Sequence, residues 1–126
     1  MSALKNLPLH ARVVVALHGI AAAFARERSF RTQVGLATAA VLALIILRPA
    51  LLWWAVVAMC CALVLGLELM NSALEALVDH LHPDEHPEIR LVKDMAAGGV
   101  LVASIGSLIC GVLMVLSRGP FHSPWP

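Results

Sequence analysis

Glu68, Asn71, Ser72, Glu75 and Asp79 carry the most legible chemistry in the chain. At about 100° per residue the five fall within roughly a quarter of one helix face. The intervening Leu69, Met70, Ala73, Leu74, Ala76, Leu77 and Val78 keep the remaining surface apolar. A carboxylate held among apolar neighbours is costly, so the stripe reads as an active-site wall on a membrane helix. Glu68 and Glu75 stand two turns apart, about 10.5 Å along the axis. The deeper Glu68 can accept a proton from a substrate hydroxyl. The shallower Glu75, joined by Glu27, can hold Mg²⁺, which prefers a couple of carboxylates together with phosphate oxygens. The plain alternative for Glu68 is an interhelical hydrogen bond made in its protonated form.

Other candidates are weaker on residue type alone. Lys93-Asp94 at a helix start can contact phosphate and metal or ribose, or simply cap a helix and anchor it at the interface. Asn71 can steer a substrate or a carboxylate, or bond across helices. His80, His82 and His86 with Asp84 and Glu85 suggest a metal cluster, but Pro83 and Pro87 break any regular ligand spacing, so a solvated loop is expected. Cys60, Cys61 and Cys110 all lie inside apolar runs. They fit neither a disulfide framework nor zinc spacing and read as packing residues. The chain has no GxxxxGK[ST] loop, GxGxxG, nucleophile elbow or HExxH.

The elements that must position these residues follow from composition. The chain has 126 residues, one domain's worth, of which 60% are hydrophobic and only 13% charged. Its mean hydropathy is +0.87, outside the range of soluble globular domains. A net charge of +1 offers no basic face for nucleic acid.

Residues 1–33 hold five of the nine Lys and Arg: Lys5, Arg12, Arg26, Arg28 and Arg31. Val13–Phe24 with Ala21-Ala22-Ala23 resembles a secretory signal, but His18-Gly19 interrupts it and Arg26-Glu27-Arg28 follows at once. A cytoplasmic helix lying along the interface fits 1–33 better. Val34–Leu47 is apolar for fourteen residues. That reaches about 21 Å of a hydrocarbon core about 30 Å thick, so the helix must borrow from Ser29–Gln33 or from the turn at Arg48-Pro49. Ala50–Leu67 is eighteen uncharged residues with Trp53-Trp54 near its start, and the helix is expected to run on to Asp79. His80–Arg90 reads as a non-helical connector because of its prolines. The third run, Met95–Ser117, places Gly99, Ala103, Ser107 and Gly111 at four-residue intervals, a stripe that permits close helix contact. Spans are thus expected at about 30–47, 50–79 and 93–117.

Charge sets the expected orientation. With three spans, the N-terminus and the 80–94 connector share a side that carries seven of the nine Lys and Arg, leaving Arg48 and Arg118 opposite. By the positive-inside rule the N-terminus is in and the C-terminus out. Glu27, Glu75, Asp79, Lys93 and Asp94 then meet at the cytoplasmic rim. So small a chain cannot enclose a nucleotide and a lipid alone, so sites shared between subunits are expected. A small proton-coupled exporter is a rival from another class, but it would have four spans and its acid in an early helix.

Glu68-x-x-Asn71-Ser72-Ala73-x-Glu75-x-x-x-Asp79, followed by Lys93-Asp94-Met95-Ala96-Ala97-Gly98, resembles the prokaryotic integral-membrane diacylglycerol kinases and their relatives, the undecaprenol kinases. Gly19 and Glu27-x-x-Phe30-Arg31 fit the same family's first segment, and the resemblance covers residues 17–116. It implies a homotrimeric enzyme of the bacterial inner membrane, with an N-terminal surface helix and three transmembrane helices per subunit and composite active sites. Glu68 matches the catalytic base. Glu27 and Glu75 match the acids that bind Mg–ATP, and Lys93-Asp94 the pair at the nucleotide. Asp84-Glu85-His86 occupies a connector segment lying against the nucleotide. Phe30, Arg31 and Gln33 fall where the lipid headgroup is contacted, with Asn71 and Ala97 on the lipid side too. Gln33 replaces an acid of some members, Ala97 a Ser, and Leu17-His18 a Trp-Lys. Ala96-Ala97-Gly98 is closer to the undecaprenol type. The implied reaction is transfer of the γ-phosphate of Mg–ATP to the hydroxyl of diacylglycerol, with undecaprenol as the alternative acceptor.

Overall fold

The computed structural model describes residues 6–118, and these form the helices α1 (Leu9–Arg26), α2 (Arg28–Leu47), α3 (Leu51–Leu81) and α4 (Pro87–Leu116). Lys5 and residues 119–126 of the tail lie outside the described residues. All four helices are long and apolar enough to cross a membrane, and α1 is the least apolar of them. None of the residues of α1 is buried. The chain is an all-α, multi-pass membrane protein. Its accessible surface is 9874 Å². A compact soluble monomer of this mass would expose about 6500 Å², so the apolar faces of the helices need lipid or other chains to cover them.

The expected single helix over 1–33 is broken at Glu27, which sits in an extended conformation (φ −98°, ψ 114°) between α1 and α2. The break is held from both sides. The Glu27 amide donates to Ala23 O at 2.8 Å, and the Arg31 Nη1 donates to Phe24 O and Ala25 O at 2.9 and 3.1 Å. Arg31 thereby satisfies carbonyls left open at the end of α1. Beginning at Arg28 gives α2 twenty residues, about 30 Å of rise, so it does recruit the Ser29–Gln33 segment. It ends at Arg48, whose left-handed backbone (φ 46°, ψ 56°) turns the chain into α3.

The connector is shorter than the prolines suggested. Helix α3 continues through His80 to Leu81, and α4 starts at Pro87, leaving only 82–86 outside regular helix. Proline at the first position of a helix lacks only an N–H that would be unpaired anyway. His86 completes the start: its Nδ1 accepts from the Glu88 amide at 3.2 Å.

Helix α3 is central, packing most extensively on α4, then on α2, and touching α1. Its buried residues Val57, Val64, Glu68 and Ser72 follow one face. Leu44, Val57 and Met114 form the hydrophobic cluster at the Arg48 end, with Trp53 and Cys61 packed against it. The small-residue stripe of α4 is not a tight contact along its length. Only Ala103 is buried, and a Cβ on Gly99 or Gly111 would meet nothing within 4 Å. The helices instead leave a cavity of about 280 Å³ lined by Ser107, Gly111, Cys60, Cys61 and Gln33.

Candidate active site

Exposure rises from the inner to the outer end of the acidic stripe of α3. Glu68 is 4% exposed and Ser72 8%, Asn71 and Glu75 are half-buried, and Asp79 is exposed. Continuation of α3 beyond the apolar run produces this gradient, since each turn moves the face about 5.4 Å outward. The two glutamates therefore sit at different depths, as their spacing predicts. Asn71 Nδ2 donates to Glu75 Oε1 at 3.1 Å, while Asn71 Oδ1 is buried without a partner. Among the described residues no side-chain hydrogen bond to Glu68 is formed.

Beyond Glu75 the stripe opens into a cleft of about 710 Å³ between the end of α3, the connector and the start of α4. That volume lies within the range of small-molecule sites, about 300–1,000 Å³. Glu75, Asp84, Glu85, His86, Lys93, Asp94 and Ala97 all line it. Lys93 Nζ and Asp79 Oδ1 form an ion pair at 2.7 Å, with 32% and 64% of their side chains exposed. The shallow turns of α3 are thus tied to α4. His86, with Nδ1 occupied by the helix cap, keeps Nε2 as its free nitrogen.

The lipid-side candidates are distributed differently. Ala97 lies in the polar cleft, and Gln33 lines the apolar cavity between α2, α3 and α4. Phe30 is buried at 3% exposure and serves the packing of α2. Arg31 is engaged at the α1–α2 break. Glu27 sits at that break, half-buried, its carboxylate making no cap bond, and it is not among the residues lining the cleft. A carboxylate there faces the positive end of the α2 dipole, a favourable position.

One charged cleft residue has no role in the sequence reading, Arg90, while His82 enters it only as part of a solvated histidine loop. Pro87, Arg90, Lys93, Asp94 and Ala97 follow the i, i+3, i+4, i+7 rows of a helix. Taking 80–90 as non-helical hid that face; allowing Pro87 as a first helical residue reveals it. Lys93 is already paired with Asp79, whereas Arg90 makes no ion pair among the described residues.

Charge limits what the cleft can hold. Glu75, Asp79, Asp84, Glu85 and Asp94 outnumber Arg90 and Lys93, so a bare polyphosphate would be repelled and a cation-bound one favoured. Most of the donors are carboxylate oxygens, which suit Mg²⁺, with His82 and His86 beside them. Among the described residues no three His, Cys, Asp or Glu converge as a cage. Mg²⁺ does not need one, since it keeps waters and substrate oxygens in its shell. Glu75 is one of the cleft's carboxylates, whereas Glu27, half-buried at the α1–α2 break, does not line it.

The sequence model described as prokaryotic diacylglycerol kinase matches residues 14–115. The chain belongs to the prokaryotic diacylglycerol kinase family. It is 37% identical over 99 residues to the diacylglycerol kinase of Synechocystis sp. (strain ATCC 27184 / PCC 6803 / Kazusa), covering 78% of this chain and 57% of that relative. It is 30% identical over 92 residues to the undecaprenol kinase of Bacillus subtilis (strain 168), covering 73% and 75% of the two. The diacylglycerol kinase of Helicobacter pylori (strain J99 / ATCC 700824) is 33% identical over 87 residues, covering 69% and 68%. The chain therefore spans little more than half the length of the Synechocystis relative. The match encloses the whole stripe, the connector and the start of α4.

Proposed function

We propose that the chain is an ATP-dependent lipid kinase that transfers the γ-phosphate of Mg–ATP to the free hydroxyl of diacylglycerol, giving phosphatidic acid. The observation that carries this reading is the continuity of α3. One helix presents a buried Glu68 among apolar residues and, two turns later, Glu75 in the wall of a charged cleft. The family supports the same reaction class.

In this mechanism Glu68 takes, or orients, the proton of the lipid hydroxyl, whose oxygen attacks the γ-phosphorus in line while the ADP oxygen leaves. Asn71 holds the Glu75 carboxylate in one orientation. Asp84, Glu85 and His86 border the nucleotide from the connector, and Lys93-Asp94 from α4. Mg²⁺, held by Glu75 with Glu27 joining from the α1–α2 junction, would neutralise phosphate charge. Transfer of a phosphoryl group needs little beyond such positioning and electrostatics. Arg31, Gln33 and Asn71 would lie toward the lipid, with Phe30 supporting that wall, while Ala97, which lines the cleft, would stand where lipid and nucleotide meet. The reading further places the chain in the bacterial inner membrane as a homotrimer with shared sites, α1 on the cytoplasmic surface, the N-terminus in and the C-terminus out.

Undecaprenol is the second acceptor to weigh, because Ala96-Ala97-Gly98 follows the undecaprenol-type pattern. The deciding experiment reconstitutes the purified chain with labelled ATP and offers diacylglycerol and a polyprenol in parallel. Label in phosphatidic acid is the expected outcome. Label in polyprenyl phosphate alone reassigns the acceptor, and label in neither lipid overturns the kinase reading.

A further inference from the structure

All eight Asp and Glu of the chain, Glu27, Glu68, Glu75, Asp79, Asp84, Glu85, Glu88 and Asp94, lie toward the cleft end of the helices or within them. The opposite end carries Arg48, in the α2–α3 turn, and Arg118, just past α4. These two are brought together although seventy residues apart: Arg118 Nη1 donates to Arg48 O at 2.9 Å. Both are exposed. The nearest acid along α3 is Glu68, seventeen residues from Leu51, about 25 Å of helix rise away. No side-chain carboxylate of the chain can therefore neutralise either guanidinium. Trp53 and Trp54 lie one turn into α3 beside the pair, with Trp54 exposed, which sets this end at the membrane–water interface.

With the Arg118 guanidinium held on the Arg48 backbone, two positive charges share this end of the bundle with no side-chain carboxylate to balance them, a pairing that an anion between them would stabilise. Arg118 spends one N–H on the Arg48 carbonyl and keeps four donors, and Arg48 keeps five. Planar guanidinium forks match the oxygens of a phosphate. We propose that Arg48 and Arg118 form a binding site for the headgroup phosphate of an anionic phospholipid, in the leaflet opposite the catalytic cleft. The site fastens the α2–α3 turn and the end of α4 to one lipid. It stands apart from the kinase reading and does not depend on it.

The two tryptophans beside the pair report on it directly. The full chain carrying Trp125→Phe, so that only Trp53 and Trp54 fluoresce, is reconstituted in mixed phosphatidylglycerol and phosphatidylcholine bilayers. One lipid or the other is dibrominated at equal mole fraction, and the quenching yields the relative affinity for the two headgroups. The expected result is a preference for phosphatidylglycerol on the order of fivefold per guanidinium. It falls about fivefold in Arg118→Gln and disappears when Arg48→Asn is added, asparagine being tolerated in the left-handed region. Arg118→Lys, which keeps the charge, retains most of the preference, and unchanged helical circular dichroism shows that each variant is folded. Equal quenching by both lipids in the parent chain, or a preference untouched by Arg118→Gln, overturns the proposal. Loss of the preference on adding inorganic phosphate at constant ionic strength identifies a soluble anion instead, and overturns it as well.

Discussion

Asn71 and Glu75, one turn apart on α3, are joined by an Nδ2–Oε1 hydrogen bond of 3.1 Å, and the other end of the same amide is buried with no partner. An amide kept half-satisfied is costly, about 1–3 kcal/mol for a buried polar atom. Its retained bond fixes which Glu75 oxygen remains free for a cation. Asn71→Ala should therefore weaken the apparent Mg²⁺ affinity in the kinase assay by about tenfold or more, while α3 stays helical. Unaltered Mg²⁺ dependence would show that the bond is only local packing.

Glu68 is accessible to test because the substitution is isosteric. Glu68→Gln preserves shape at a site 4% exposed and removes only the ability to take a proton. Turnover should fall by about 10²–10⁴-fold, with KM for Mg–ATP little changed, since Glu68 lies two turns deeper than the cleft. A variant that folds and keeps near-parental turnover removes Glu68 as the base. An equal loss in kcat and in nucleotide affinity would mean that it acts on the cleft through packing.

The membrane helices were legible because composition is blunt. An eighteen-residue uncharged run followed by an acidic stripe permits few alternatives, and the depth order of Glu68 and Glu75 follows from helical geometry alone. The break at Glu27 was not legible. Arg26-Glu27-Arg28 carries no glycine or proline, and what holds the chain there is a guanidinium from the following helix reaching back to Phe24 and Ala25. The α4 face was obscured by one proline read as a breaker at a position where it is a starter. Gly99 and Gly111 looked like a close contact, but a small residue only permits approach: Gly111 lines a cavity, and a Cβ at Gly99 would meet nothing within 4 Å.

Arg48 gives a stability test separate from catalysis. It holds a left-handed conformation without being glycine, at a cost of about 1–2 kcal/mol. Arg48→Asn should leave the unfolding midpoint in detergent unchanged or slightly raised. Arg48→Val, whose branched Cβ is poorly accommodated at positive φ, should lower it by several degrees. Kinase activity at low temperature should be the same in both, as the turn lies at the end of the bundle remote from the cleft.

Arg90 and Lys93 occupy one face of α4 but differ in what they are free to do. The Lys93 ammonium is already held at 2.7 Å by Asp79, whereas Arg90 faces the cleft without an ion pair among the described residues. An incoming polyphosphate meets the Arg90 charge first and must share Lys93 with Asp79. Arg90→Ala should accordingly raise KM for Mg–ATP about tenfold, the scale of one charge-assisted hydrogen bond, and reduce its sensitivity to salt. A double-mutant cycle separates the two cations. Lys93→Ala and Asp79→Asn share a bond, so their effects on KM should be non-additive by about 0.5–3 kcal/mol. Arg90→Ala and Asp79→Asn should add. Additivity in the first pair would mean that the Lys93–Asp79 bridge is the same with and without nucleotide; coupling in the second would mean that Arg90 takes Asp79 as its partner once the cleft is occupied. The exposed bridge itself contributes at most about 1 kcal/mol to folding, so either outcome reads nucleotide contact rather than stability.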